Sequence, residues 1–132
     1  MAVKPIPDGY NRVQPYLLVP DVPKQIDFLT KVFGAREIMR TTGGSGGTHA
    51  EVRIGDSVIM MGGDNRPGWT PMPSALYVYC EDVDAAYQRA LQAGGTSLEK
   101  PANKPYGDRV AGVKDSAGNI WWIGTHIEDV PH

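Results

Sequence analysis

Two H-x-E pairs, His49/Glu51 and His126/Glu128, are the side chains best suited by type and spacing to do chemistry. Residues two apart on an extended segment share a face, so each pair would set an imidazole beside a carboxylate. Together they would offer two histidines and two carboxylates to a borderline divalent ion, and either histidine could act as a general base toward a neighbouring substrate. The simpler reading of both pairs is solvated or locally hydrogen-bonded residues. The run TTGGSGG (41–47) has the glycines of a phosphate cradle, but a strand pattern follows it where a helix would be needed, and G-K-S/T is missing; it reads as a hairpin tip. Cys80 is the sole cysteine and alternates with the aliphatic side of its segment, which makes it a buried, inert thiol. No Ser/His/Asp spacing suggests acyl transfer.

An aromatic set completes the inventory: Tyr16, Tyr77, Tyr79 and Trp122, with Met60 among them and Trp69 in a Pro/Gly-rich connection. Such rings ordinarily fill cores. Three tyrosines on one surface, however, each with a hydroxyl that needs a partner when buried, suit a half-wet cavity that stacks and hydrogen-bonds a flat organic ligand. Asp108 and Arg109, in PYGDR (105–109), would either orient that ligand at the mouth or form a weak surface ion pair.

The elements that must position these residues repeat. A shift of 61 places sets Tyr16 on Tyr77, Leu18 on Tyr79, Asp21 on Asp82, Val22 on Val83 and Gly34 on Gly95. Each copy opens with an apolar run, PYLLV (15–19) or ALYVYC (75–80). A capping aspartate and a helical pattern follow: Val22, Ile26, Leu29 and Phe33 up to Gly34, and Val83, Ala86, Tyr87, Ala90 and Leu91 up to Gly94-Gly95. Three short strand patterns then complete each copy: 35–41, 48–54 and 57–62, and again 96–100, 109–114 and 119–124. The predicted fold is α+β, two βαβββ repeats forming a curved mixed sheet with a concave cleft and the helices on the outer face. One domain spans 1–132, with repeat 1 at about 13–63, a linker at 64–73 and repeat 2 at about 74–125. Alternation puts Leu17 and Val19 under the helices, and Gln14, Tyr16 and Leu18 on the opposite face; of Trp121 and Trp122, one must face each way.

Composition narrows the function classes. The 132 residues carry 13 Lys+Arg against 15 Asp+Glu, a net charge of −2, with no basic run, which argues against nucleic acid or an anionic membrane as partner. No segment approaches a bilayer span and MAVKPIPDGY lacks a signal-peptide pattern, so a cytoplasmic protein is expected.

The D-V after the first strand of each copy, the helix endings F-G-A (33–35) and A-G-G (93–95), and K-D-S-A-G-N-I-W-W-I (114–123) resemble the vicinal oxygen chelate superfamily, the glyoxalase, bleomycin-resistance and extradiol-dioxygenase group. The likeness runs from about Val13 to Val130, and YGDRVAGVKDSAGNIWWIGTHIEDV is similar to its PhnB-like branch. The resemblance implies a divalent metal held by His or Glu from the first and last strand of each copy. Those positions fall here on Gln14, Met60, Ala75 and Trp122, residues unsuited to a hard or borderline cation. The expectation is therefore a protein with no metal and no cofactor. It binds a small aromatic or planar ligand through Gln14, Tyr16, Met60, Trp69, Tyr77, Tyr79, Arg109 and Trp122, as a homodimer with cleft walls shared between chains, in the sequestering manner that bleomycin-resistance relatives make available. The alternative is a metal-dependent lyase, isomerase or dioxygenase using His49, Glu51 or His126, so whether the protein is an enzyme stays open at this point.

Overall fold

The computed structural model describes residues 3–43, 47–64 and 66–131. The tip of the TTGGSGG run, 44–46, lies outside the described residues.

Repeat 1 comprises β1 (Tyr16–Leu18), α1 (Val22–Phe33), β2 (Arg36–Thr42), β3 (Thr48–Ile54) and β4 (Ser57–Gly63). Repeat 2 comprises β5 (Ala75–Tyr79), α2 (Val83–Gln92), β6 (Thr96–Asn103), β7 (Asp108–Lys114) and β8 (Ile120–His126). The expected α+β pair of βαβββ repeats is observed as two four-stranded mixed sheets of matching order, β1-β4-β3-β2 and β5-β8-β7-β6. In each, the first strand runs parallel to the last, Tyr16 opposite Met60 and Tyr77 opposite Trp122, and the other pairings are antiparallel.

Both helices begin where the sequence places their caps. The Asp21 carboxylate accepts from Lys24 N at 3.0 Å and the Asp82 carboxylate from Ala85 N at 3.1 Å, each satisfying an N–H that the first turn leaves unpaired. Gly34 ends α1 with φ 67°, a left-handed conformation that costs a residue with a side chain. Strand β6 runs beyond the predicted 96–100, through Pro101 to Asn103. It is an edge strand with register shifts against β7, so the N–H that proline lacks breaks no central ladder.

One apolar cluster joins the two repeats. Leu17, Leu29, Met61, Val113, Trp121 and Ile123 have no measurable exposure, and Phe28 and Phe33 of α1 lie against the Trp121 ring at centroid distances of 6.5 and 5.5 Å. Trp121 is thus the member of the tryptophan pair that enters the core. At the centre of this contact sits a buried carboxylate, Asp115. Its Oδ2 accepts from Gln25 Nε2 at 2.9 Å, Trp121 Nε1 at 2.8 Å and Asn119 Nδ2 at 3.1 Å. Its Oδ1 accepts from the backbone N–H groups of Ala117 and Asn119, both at 2.9 Å. Asn119 Oδ1 in turn accepts from Ser74 N at 2.9 Å. The D-S-A-G-N segment therefore forms a tight turn whose first residue ties helix α1 of repeat 1 to the last hairpin of repeat 2.

At one end the linker pairs with β1, where Met72 N–H donates to Leu18 O at 3.0 Å. At the other end a groove of about 670 Å³ opens between the residues before β1, the β3–β4 turn and strand β5, with Val13, Phe33, Ile54, Leu76 and Val78 among its walls.

Candidate functional site

With one side of each sheet packed on the helices, the other side is left to carry polar and aromatic groups. In repeat 1 these come from alternate residues of β1, β3 and β4. Tyr16 lies on its strand neighbour: a Cβ at Gly62 would stand 2.8 Å from the Tyr16 hydroxyl, so glycine lets the ring lie flat on the sheet. The Tyr16 hydroxyl is 3.0 Å from His49 Nδ1, and His49 Nε2 is 2.8 Å from Glu51 Oε2. Glu51 also accepts from the Tyr10 hydroxyl, which arrives from the segment ahead of β1; Arg53 Nη1 anchors that segment by donating to Gly9 O at 3.1 Å. Burial of Glu51 pushes its carboxyl upward, but the bonds from Tyr10 and His49 outweigh this and hold it below the ordinary carboxylate value.

Two recesses flank this chain. One, of about 360 Å³, is bordered by Tyr16, His49, Thr41, Trp69 and Gly62, with the Asp64–Arg66 ion pair at its edge. The other, of about 380 Å³, lies under the leading segment and is bordered by Ile6, Tyr10, Gln14, Glu51 and Met60.

Repeat 2 repeats the geometry with different chemistry. Tyr77 covers Gly124 as Tyr16 covers Gly62, and the Trp122 ring covers Gly112, leaving no space for a Cβ at either glycine. Tyr77 and Tyr79 stand with ring centroids 5.1 Å apart, and both hydroxyls donate to Asp108 Oδ2 at 2.7 Å. Asp108 Oδ1 meets His126 Nδ1 at 2.9 Å, and His126 Nε2 meets Asp129 at 2.7 Å. The bonds from His126, Tyr77 and Tyr79 hold the Asp108 carboxyl low. His126 is raised by Asp129 first and Asp108 second. Burial and then the Asp108 bond push the Tyr77 phenol well up, and the Asp108 bond, followed by burial, raises Tyr79.

The structure therefore divides the sequence-predicted ligand residues. Tyr16 and Trp69 share the first recess, while Gln14 and Met60 border the second. Tyr77, Tyr79 and Trp122 plate the open face of repeat 2. Arg109 is turned away from them. Neighbours on a strand point to opposite faces, and its guanidinium binds the Asp84 carboxylate at 2.9 and 3.0 Å and Asn103 at 3.0 Å. Of the H-x-E pairs, His49 and Glu51 do bond to each other, but His126 binds Asp108 and Asp129 where the spacing suggested Glu128. Among the described residues, no three His, Cys, Asp or Glu side chains are grouped to hold a metal ion. Cys80 is partly buried on the core-facing side of β5's end, and burial pushes its thiol up. Sequence reasoning missed Tyr10 altogether, offered Glu51 as a metal ligand beside His49, and placed Asp108 with Arg109 at the mouth of the cleft or in a surface ion pair. Nothing local signalled that tyrosines from other strands would converge on the two carboxylates.

The family model for the Glyoxalase/Bleomycin resistance protein/Dioxygenase superfamily matches residues 9–123. An uncharacterized protein of Mycobacterium bovis is 33% identical over 129 residues, covering 89% of this chain and 85% of its own. Among solved structures, TioX from Micromonospora superposes with a TM-score of 0.67 at 23% identity, over 87% of this chain and 99% of that one. The PhnB protein from Bacillus cereus gives 0.69 at 18%, over 87% and 99%. The chain belongs to the Glyoxalase/Bleomycin resistance protein/Dioxygenase superfamily.

The superfamily's metal positions can be tested against what occupies them. Gln14 already spends its side-chain oxygen on Asn11 N–H at 2.6 Å. Met60 offers a thioether, Ala75 no donor, and Trp122 an indole lying over Gly112. This donor set does not fit a hard or borderline divalent ion.

Proposed function

We propose that this protein binds a small planar organic molecule by stacking and hydrogen bonding, and holds it without a resident metal and without transforming it. The observation that carries this reading is the Tyr16 recess. A phenol ring laid flat over Gly62, an indole beside it and a volume of about 360 Å³ together suit one flat ligand. Gln14 and Met60 extend the surface at its side. Tyr77, Tyr79 and Trp122 form a second stacking wall, which a homodimer with shared cleft walls would bring into use. A cytoplasmic location accords with this role, and no helix among the described residues is long and apolar enough to cross a membrane.

A thermal-shift screen of planar aromatic compounds tests the proposal, because binding to the native state alone raises Tm. A hit should lose at least about 1 kcal/mol of affinity in Trp69→Ala, the scale of one aromatic pairing. Unchanged affinity would remove Trp69 from the site. Stoichiometric nickel, zinc, manganese or iron in protein purified without chelator would favour the metal-dependent enzyme instead.

A further inference from the structure

A passive stacking pocket has no use for the hydrogen-bonded chain that ends in it. Glu51 is only 6% exposed, and the low-lying carboxyl keeps it ionised. In a neutral His49 ring the hydrogen facing that carboxylate sits on Nε2, which leaves the Nδ1 lone pair for the Tyr16 hydroxyl at 3.0 Å. The order is carboxylate, imidazole, hydroxyl: the arrangement that lets a neutral imidazole accept a proton from a hydroxyl while the carboxylate stabilises the resulting cation. Its outer end is open, since Tyr16 is 46% exposed and borders the recess. The repeat-equivalent Tyr77 donates straight to a carboxylate with no imidazole between, so its proton is locked. The other charged groups nearby are committed elsewhere: Arg66 to Asp64 at the rim, and Arg53 to the backbone of Gly9 behind Tyr10.

We propose that Glu51, His49 and Tyr16 form a proton relay that makes this recess selective for a flat molecule bearing a weakly acidic hydroxyl, a phenol or an enol, and that the molecule is bound as its anion. The ligand O–H bond breaks and its proton joins the Tyr16 oxygen as the Tyr16 proton passes to His49 Nδ1. The net change is one proton moved from ligand to imidazole, giving an anion opposite an imidazolium that Glu51 stabilises. No electrons change hands. The inference rests on the recess being the ligand site, and the experiment separates the two.

Para-nitrophenol is the probe, because its anion is coloured and its neutral form is not; para-nitroanisole, which cannot ionise, is the control. At a pH below the probe's own pKa, an excess of either compound should raise the protein's Tm. With protein in excess, the anion-to-neutral ratio of bound para-nitrophenol should rise about tenfold over the free compound, one pKa unit. Tyr16→Phe and His49→Gln should each abolish the coloured band, and in each variant the band is read against that variant's own Tm shift with para-nitroanisole, so that loss of the relay is told apart from loss of the recess. Should His49→Gln fail to fold, Tyr16→Phe carries the test alone, since Tyr16 is surface-facing. A Tm rise with no coloured band overturns the relay and leaves the recess standing. A band that survives Tyr16→Phe overturns the relay as drawn. No Tm rise with either compound overturns the recess reading itself, and the relay with it.

Discussion

His126 is held between two carboxylates, and that placement ties its protonation to folding. Its pKa is raised in the folded state by Asp129 and then Asp108, so the charged ring stabilises the fold fully below the ordinary imidazole value. This contribution is lost as pH rises through the raised folded value. Asp108 acts in the opposite sense: its folded pKa is depressed by His126, Tyr77 and Tyr79. Its contribution is present above the ordinary carboxylate value and is lost as pH falls through the depressed one. Stability should therefore be greatest between those limits and decline on both sides. In His126→Gln the decline on the alkaline side should flatten, as measured by urea unfolding across a pH series. An unaltered alkaline limb would show that the ring's charge does not matter to the fold. His126 is half exposed, so solvent screens the effect and only its direction is predicted.

At the scale of elements, the turn between β7 and β8 is as important to the fold as either helix. Asp115 receives five N–H donors, two of them from its own turn's backbone and one from helix α1 of the other repeat. Asp115→Ala would leave Gln25 Nε2, Trp121 Nε1 and the Asn119 backbone N–H buried and without their acceptor, and should cost about 3 kcal/mol or more in urea unfolding. A loss below about 1 kcal/mol would mean the turn holds without its carboxylate. Much at this scale was legible in the sequence. Asp21, Gly34 and Asp82 marked helix ends because capping is local, and alternation in PYLLV put Leu17 under the helix because one face of the strand had to be buried. In NIWWIG alternation required only that the two tryptophans face opposite ways, and the structure sends Trp121 into the core. The Asp115 hub was not legible, since Gln25 and Asp115 are 90 residues apart and only the packed helix brings them together. The same holds for Tyr10 and Glu51, 41 residues apart. Arg109 failed for a different reason: its spacing was read without its face, and Asp84 on α2 claimed it.

Across the whole molecule, the two repeats share one core yet leave β5 as the outer strand of its sheet, beside the groove of about 670 Å³. A free strand edge next to apolar walls tends to find a partner. Val13 borders that groove and is 82% exposed. The proposed homodimer would cover it, so sedimentation equilibrium should give twice the 14.3 kDa chain mass. Val13→Asp should shift the protein toward the single-chain mass with its fold intact, and a wild-type protein of single-chain mass throughout would rule the dimer out.

The stretch ahead of β1 touches Glu51 through Tyr10 and is pinned through Gly9, so it reaches the same carboxylate that faces His49. If the proposed ligand reaches the recess under this leading stretch, Tyr10 would border it even though it lies outside both repeats. Changes to that stretch would then be felt as altered affinity at a place that superficially looks remote.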